Sequence, residues 1–184
     1  HQEARRQRQM CIRDRVIYTL QSKSSDYTGN ITITDASGVS ISAATLSTIG
    51  AATTGTVTVS NAIKISGSQS EVTAALVTES SKVVAGASDT IVNVTDAVTA
   101  AQGQDIAATT NISAAFAGGV TDSVANLYDT NNTAISTNYT AIKNEDADVA
   151  VTIDDAAFAN SNSTIAAARL SAIGNATTGT VTVS

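Results

Sequence analysis

Carboxylates and carboxamides are the side chains of this 184-residue chain best suited to chemistry. Asn144, Glu145, Asp146 and Asp148 form the densest group, with Asp154 and Asp155 close behind. Calcium takes carboxylate and amide oxygens, so those four residues are the candidate calcium ligands. A second set recurs along the chain: Asp35, Asn61, Asp96, Asp122 and Asp155 each close a short alternating run and precede a small residue. An Asp or Asn in that place can accept hydrogen bonds from the backbone N–H groups opening the next turn or helix. Stacked units would align the five as a structural ladder. Neither the EF-hand loop nor the glycine-rich calcium repeat is present, so the ladder reads first as structural.

Catalytic chemistry is poorly supplied. Paired carboxylates can cut glycosidic bonds, but sugar platforms are scarce: the aromatics are Tyr18, Tyr27, Tyr128, Tyr139, Phe116 and Phe158, and Trp is absent. The single His, Cys and Met are His1, Cys11 and Met10, so beyond residue 15 no Ser–His or Cys–His nucleophile can be assembled. Walker A and GxGxxG phosphate loops are missing. We therefore expect a non-enzymatic chain with no catalytic or cofactor-binding residues.

Residues 1–15, HQEARRQRQMCIRDR, differ sharply in composition from the rest of the chain. Residues 5–14 resemble the translation of a transposase-type sequencing adapter, and we read 1–15 as an artefact without structure of its own. Residues 16–28 are then a junction or partial repeat, and 29–184 one continuous repeat fragment cut at both ends. Removing five arginines and two acidic residues with the first segment leaves 5 Lys and Arg against 14 Asp and Glu, a net charge of −9 where the whole chain has −6. Acidity argues against a nucleic-acid partner, because phosphate binding relies on Lys and Arg. Lys64, Lys82, Lys143 and Arg169 are scattered and read as solubilising. No run of 18 apolar residues exists, so no membrane span is expected. Abundant Thr, Ser and Asn suit an exposed, extracellular or cell-surface protein.

The elements that must position these residues repeat. Residues 41–60, ISAATLSTIGAATTGTVTVS, and 165–184, IAAARLSAIGNATTGTVTVS, match at sixteen of twenty positions with an offset of 124. Within that span lie ITITDA (31–36), VTVSNA (57–62), VNVTDA (92–97), VTDS (120–123) and VTIDDA (151–156), whose marker residues are separated by 26, 35, 26 and 33. Four units per super-repeat give an average of 31 residues, a spacing typical of solenoids. Each unit opens with β-branched residues in period-two alternation, the pattern of a half-buried strand. Ala-rich stretches with apolar residues three or four apart come next: Leu46 and Ile49; Val72, Leu76 and Val83; Val120, Val124, Leu127 and Tyr128; Tyr139 and Ile142; Leu170 and Ile173. These predict helices, with Tyr128 and Tyr139 in the core. Ser68 and Glu71 have capping-box spacing before Val72, and ATTG before TVTVS is a turn.

The resulting expectation is an α/β fold: a right-handed solenoid of strand–helix repeats of about 30 residues with a parallel sheet. An all-β solenoid is the alternative, since Thr-rich and Ala-rich segments make weak autonomous helices. At about 25 cal/mol per Å² of buried apolar area, one such unit cannot offset its chain entropy, so neighbouring repeats of the same chain are its first partners.

The phrases LSAIGNATTGTVTVS and NAIKISGSQSEVTAALV, with GVTDSVANL leading to VTIDDA, resemble repeat modules of very large bacterial surface and secreted proteins, adhesin-like or surface-layer-like. The resemblance covers most of residues 28–184 and implies export, display on the cell surface and calcium-binding segments elsewhere in such chains. It brings no catalytic residues. The function expected is a scaffold or spacer segment of a giant extracellular or surface protein, such as an adhesin, with surface glycans or other surface proteins as further partners. Two alternatives are a calcium-dependent adhesion or glycan-binding module and a carbohydrate-active solenoid enzyme.

Overall fold

The computed structural model describes residues 28–78, 83–129, 131, 133–155 and 167–184. The expectations for 1–15 and for all but the last residue of 16–28 lie outside the described residues, as does Lys82.

Runs of Val, Ile and Thr form strands because their branched Cβ fits the pleat. Most units spend two short strands before each helix, where alternation alone suggested one. The first has β1 (Ile31–Ile33), β2 (Ser40–Ser42) and α1 (Ala43–Ala51). The second has β3 (Val57–Val59), β4 (Lys64–Gly67) and α2, which opens as Gln69–Val72 and widens into a π-helical stretch, Thr73–Thr78. The third has β5 (Val83–Ala85), β6 (Thr90–Val94) and α3 (Ala100–Ala107). Beyond it lie β7 (Ile112–Phe116), β8 (Val120–Asp122) and the single turn α4 (Val124–Leu127). A small antiparallel pair, β9 (Tyr128–Asp129) and β10 (Ala134–Ile135), leads to α5 (Thr137–Glu145). The last elements are β11 (Val151–Ile153), α6 (Ala167–Gly174) and β12 (Val181–Val183).

The longer strand pairings are all parallel and fall into three sheets. In the first, β1-β3-β5, Ile31 pairs with Val57 and Val57 with Val83, a constant step of 26 residues. In the second, β2-β4-β6-β7, Ser40 pairs with Lys64, Lys64 with Ile91 and Thr90 with Ile112. In the third, β8-β11-β12, Val120 pairs with Val151 and Val151 with Val181. Parallel neighbours need crossover connections, which the helices supply. The fold is thus mixed α/β, and six helices among the described residues remove the all-β alternative.

Three helical expectations need correction. Val83 and Val120 are strand residues, and Tyr128 lies in β9. In each case parallel or hairpin pairing overrides a local helical spacing. Tyr128 and Tyr139 are nonetheless buried, and the Arg169 guanidinium lies 5.8 Å from the centre of the Tyr128 ring.

The core runs continuously through the aliphatics facing inward from the sheets and helices, from Ile33 and Leu46 through Val92 and Ile106 to Ile142 and Ile173. Gly103 sets the approach of α3 to α5. A Cβ there would stand 2.4 Å from Ile142 Cδ1, so only glycine leaves room for the isoleucine.

Candidate functional site

The marker residues do not form one ladder. Asp35 and Asn61 come after β1 and β3 of the first sheet, Asp96 after β6 of the second, and Asp122 and Asp155 belong to β8 and the end of β11 in the third. The separation of 35 between Asn61 and Asp96 is the passage from one sheet to another. Asp35 and Asn61 are joined through the backbone, the Asn61 Nδ2 donating to the Asp35 carbonyl at 2.8 Å.

The other three markers share a single geometry. Asp96 Oδ1 accepts the amide of Gln69, the first residue of α2. Asp122 Oδ2 accepts that of Ala100, the first residue of α3, at 2.9 Å. Asp155 Oδ2 accepts that of Val124, the first residue of α4, at 3.0 Å. Each carboxylate therefore serves the helix of the preceding unit, 22 to 31 residues earlier, where the sequence pointed to its own unit. A helix leaves its first amides without internal partners, and its N-terminus favours negative charge. Local caps complete the same ends: Ser68 with Glu71 on α2 and Thr99 with Gln102 on α3 form reciprocal capping boxes. Asp122 is the most heavily engaged, its Oδ1 also accepting from Ser123 N at 2.8 Å and Asn126 Nδ2 at 2.6 Å.

The acidic cluster plays a related part. Glu145 Oε2 accepts the Ala114 amide at 3.2 Å and Asp146 Oδ2 the Phe116 amide at 2.7 Å. Both amides lie on β7, so two carboxylates stand where the carbonyls of a further strand would. Burial pushes the Asp146 carboxyl above its usual range. The Phe116 amide opposes that rise, and the neighbouring Asp148 carboxyl adds to it. Asn144, Glu145, Asp146 and Asp148 thus do not turn their oxygens to a common centre, and among the described residues no group of three or more His, Cys, Asp or Glu side chains could hold a metal ion.

Two threonines outside the recurring motifs carry the closest ties between units. Thr53 Oγ1 donates to the Gly29 carbonyl at 2.7 Å and accepts the Gly55 amide at 2.9 Å. Its copy 124 residues on, Thr177, donates to the Val149 carbonyl at 2.7 Å and accepts the Gly179 amide at 2.9 Å. Both are buried. The glycines answer to the same contact: a Cβ at Gly55 would lie 2.5 Å from the Gly29 carbonyl oxygen, and one at Gly179 2.2 Å from that of Asp148. The available signal was the repetition of TTG itself, which by pattern alone reads only as a turn.

A cleft of about 290 Å³ lies between α2, β5 and α3, lined by residues including Leu76, Val83, Ala85, Asp105 and Thr109. Its single carboxylate, Asp105, does not make the facing pair that glycoside hydrolysis requires. No described helix is long and apolar enough to cross a membrane. Protein-family models, curated proteins and solved structures give no match to this chain.

Proposed function

We propose that this chain is a scaffold segment of a large extracellular or cell-surface protein, a right-handed solenoid acting as a spacer or display rod and not as a catalyst. The observation that carries the reading is the repeated tie between a unit and the one before it. Parallel registers step by 22 to 31 residues, and within the same range Asp96, Asp122, Asp155, Thr53 and Thr177 reach back to the preceding backbone. Such nearest-neighbour bonding makes stability grow with the number of units and leaves the length free to vary. The right hand is that expected from the chirality of strand–helix–strand crossovers. Surface location is supported by the acidic, Thr-rich and Ser-rich composition and by the resemblance to bacterial surface repeats.

Two measurements test the two halves of the proposal. In small-angle scattering, duplicating residues 61–184 in tandem should lengthen the particle at constant cross-section. A globular increase in all dimensions would overturn the rod. On intact cells that make the complete protein, externally added protease should cut it without permeabilisation; full protection would overturn surface display.

A further inference from the structure

One stretch of sequence occurs twice in different surroundings. Val57–Val59 and Val181–Val183 both read VTV within the 124-residue repeat. In the first copy β3 is sandwiched between β1 and β5, and Val59 is 1% exposed. In the second, β12 has a described partner on one edge only, β11, and Val183 is 45% exposed. The first copy therefore shows what the second copy's edge is shaped to hold: a parallel strand of small and β-branched residues, placed as Val83–Ala85 is against β3.

We propose that the outer edge of β12 docks β1 of a second copy of this chain, parallel and head to tail, with Val181 beside Ile31 and Val183 beside Ile33. Backbone parity supports this occupant. Thr180 and Ser184 bond to β11, through Val151 N to Thr180 O at 2.8 Å and Ser184 N to Ile153 O at 3.0 Å. In a parallel ladder this turns the N–H and C=O groups of Val181 and Val183 outward. The equivalent Val59 carbonyl accepts the Gly86 amide of the β5 segment at 2.8 Å. On β1, Ile31 and Ile33 face β3, through Ile31 N to Thr56 O at 2.9 Å and Ser60 N to Ile33 O at 3.0 Å, so the polar groups of Thr32 point the other way. A strand placed at the β5 position needs that parity. Side chains agree as well, since β1 already packs in register against a VTV strand, Ile31 with Val57 and Ile33 with Val59. The contact joins two different surfaces, so it propagates and does not close on itself.

The inference rests on the stacked-unit reading but not on cell-surface location. Sedimentation equilibrium on the full chain near physiological ionic strength is the test. The average mass should climb past twice the monomer's as concentration rises. Val183→Lys should hold the chain at monomer by placing a charge on the docking edge. Thr32→Pro should do the same by deleting an outward amide. Mixed together, the two variants should form dimers and stop there, because each retains the edge that the other lacks. A wild-type chain that stays monomeric at every concentration overturns the docking. So does association that survives Val183→Lys, or a mixture that remains monomeric. A monomer that still lengthens on tandem duplication would sink this contact alone and leave the rod intact.

Discussion

The carboxylate of Asp122 and the amide of Ala100 meet at 2.9 Å, although Ala100 lies 22 residues earlier and opens the helix of the preceding unit. The same carboxylate holds Ser123 and Asn126 of its own unit. One side chain thus fastens two helix starts across a unit boundary. Replacing it by alanine takes the acceptor from the opening amide of α3 and leaves that end only its local Thr99–Gln102 box. Asp122→Ala should cost about 2 kcal/mol, at the upper end for a lost cap. Asp122→Asn keeps an acceptor but loses the charge, and should cost less. Asp154→Ala, at an exposed position in the same region, should stay within about 0.5 kcal/mol of wild type. Urea unfolding of the three variants checks the order.

Thr53 and Thr177 offer a sharper test, because they are buried copies of one device. Valine has nearly the same shape but no hydroxyl. Thr53→Val strands the Gly29 carbonyl and the Gly55 amide, and should cost about 1–3 kcal/mol. Thr177→Val should cost a similar amount by stranding Val149 and Gly179. Matching losses of midpoint in chemical denaturation are expected. A silent Thr53→Val would show that its hydroxyl ties nothing.

The glycines divide in the same physical way. Gly55→Ala drives a methyl into the Gly29 backbone and should be severely destabilising. At Gly174, the last residue of α6, an added Cβ meets nothing within 4 Å. Gly174→Ala should therefore be neutral or stabilising by up to about 1 kcal/mol, as alanine is the better helix former. Thermal melting of the two variants should move in opposite directions, or only in the first.

These contacts separate what the chain discloses from what it hides. Alternation marked Val57 and Val59 as inward strand residues, and the Ser68–Glu71 spacing marked a helix start, because both signals lie within a few residues. The importance of Asp96, Asp122 and Asp155 was legible from recurrence, but their partners were not. Gln69, Ala100 and Val124 are more than 20 residues away, and only the register of parallel strands brings them close. Motif similarity also merged Asp35 with Asp96, although they end strands of different sheets. Thr53 resembled any turn threonine, since burial of its hydroxyl depends on the neighbouring unit.

Acid should act through Asp146 and Asp148. Burial, and then the nearby Asp148, hold the Asp146 carboxyl above its usual range in the folded chain. A folded group with a raised pKa binds a proton that the unfolded chain releases. Its contribution is fully present below the ordinary Asp value of about 3.9 and is lost as pH rises through the raised value. This site therefore gains stability on going from neutral to mildly acidic pH, against the usual trend for bonded carboxylates. Asp148→Asn removes the repulsion and should flatten that part of the profile. Denaturant midpoints measured from neutral pH down to about 4 for both chains decide the matter; a flat wild-type profile across that window would remove Asp146 as its source.

Tyr139 makes the opposite demand. Its side chain is fully enclosed in α5, and its hydroxyl has no hydrogen-bond partner among the described residues. The Thr177 hydroxyl lies nearby but donates to the Val149 carbonyl, so it opposes only part of the desolvation that pushes the phenol up to about 12. Folded Tyr139 keeps its proton through the range where an unfolded tyrosine, near 10, would lose it. Stability from this group is therefore intact below about pH 10 and declines as pH climbs toward 12. Because an unpaired buried hydroxyl costs about 1–3 kcal/mol, Tyr139→Phe should raise stability at neutral pH and soften the alkaline decline. Phenolate absorbance during an alkaline titration should lose its latest-titrating tyrosine in that variant. A stability loss on removing the hydroxyl would mean that Thr177 is a true partner, and that the interior of α5 is better satisfied than its geometry indicates.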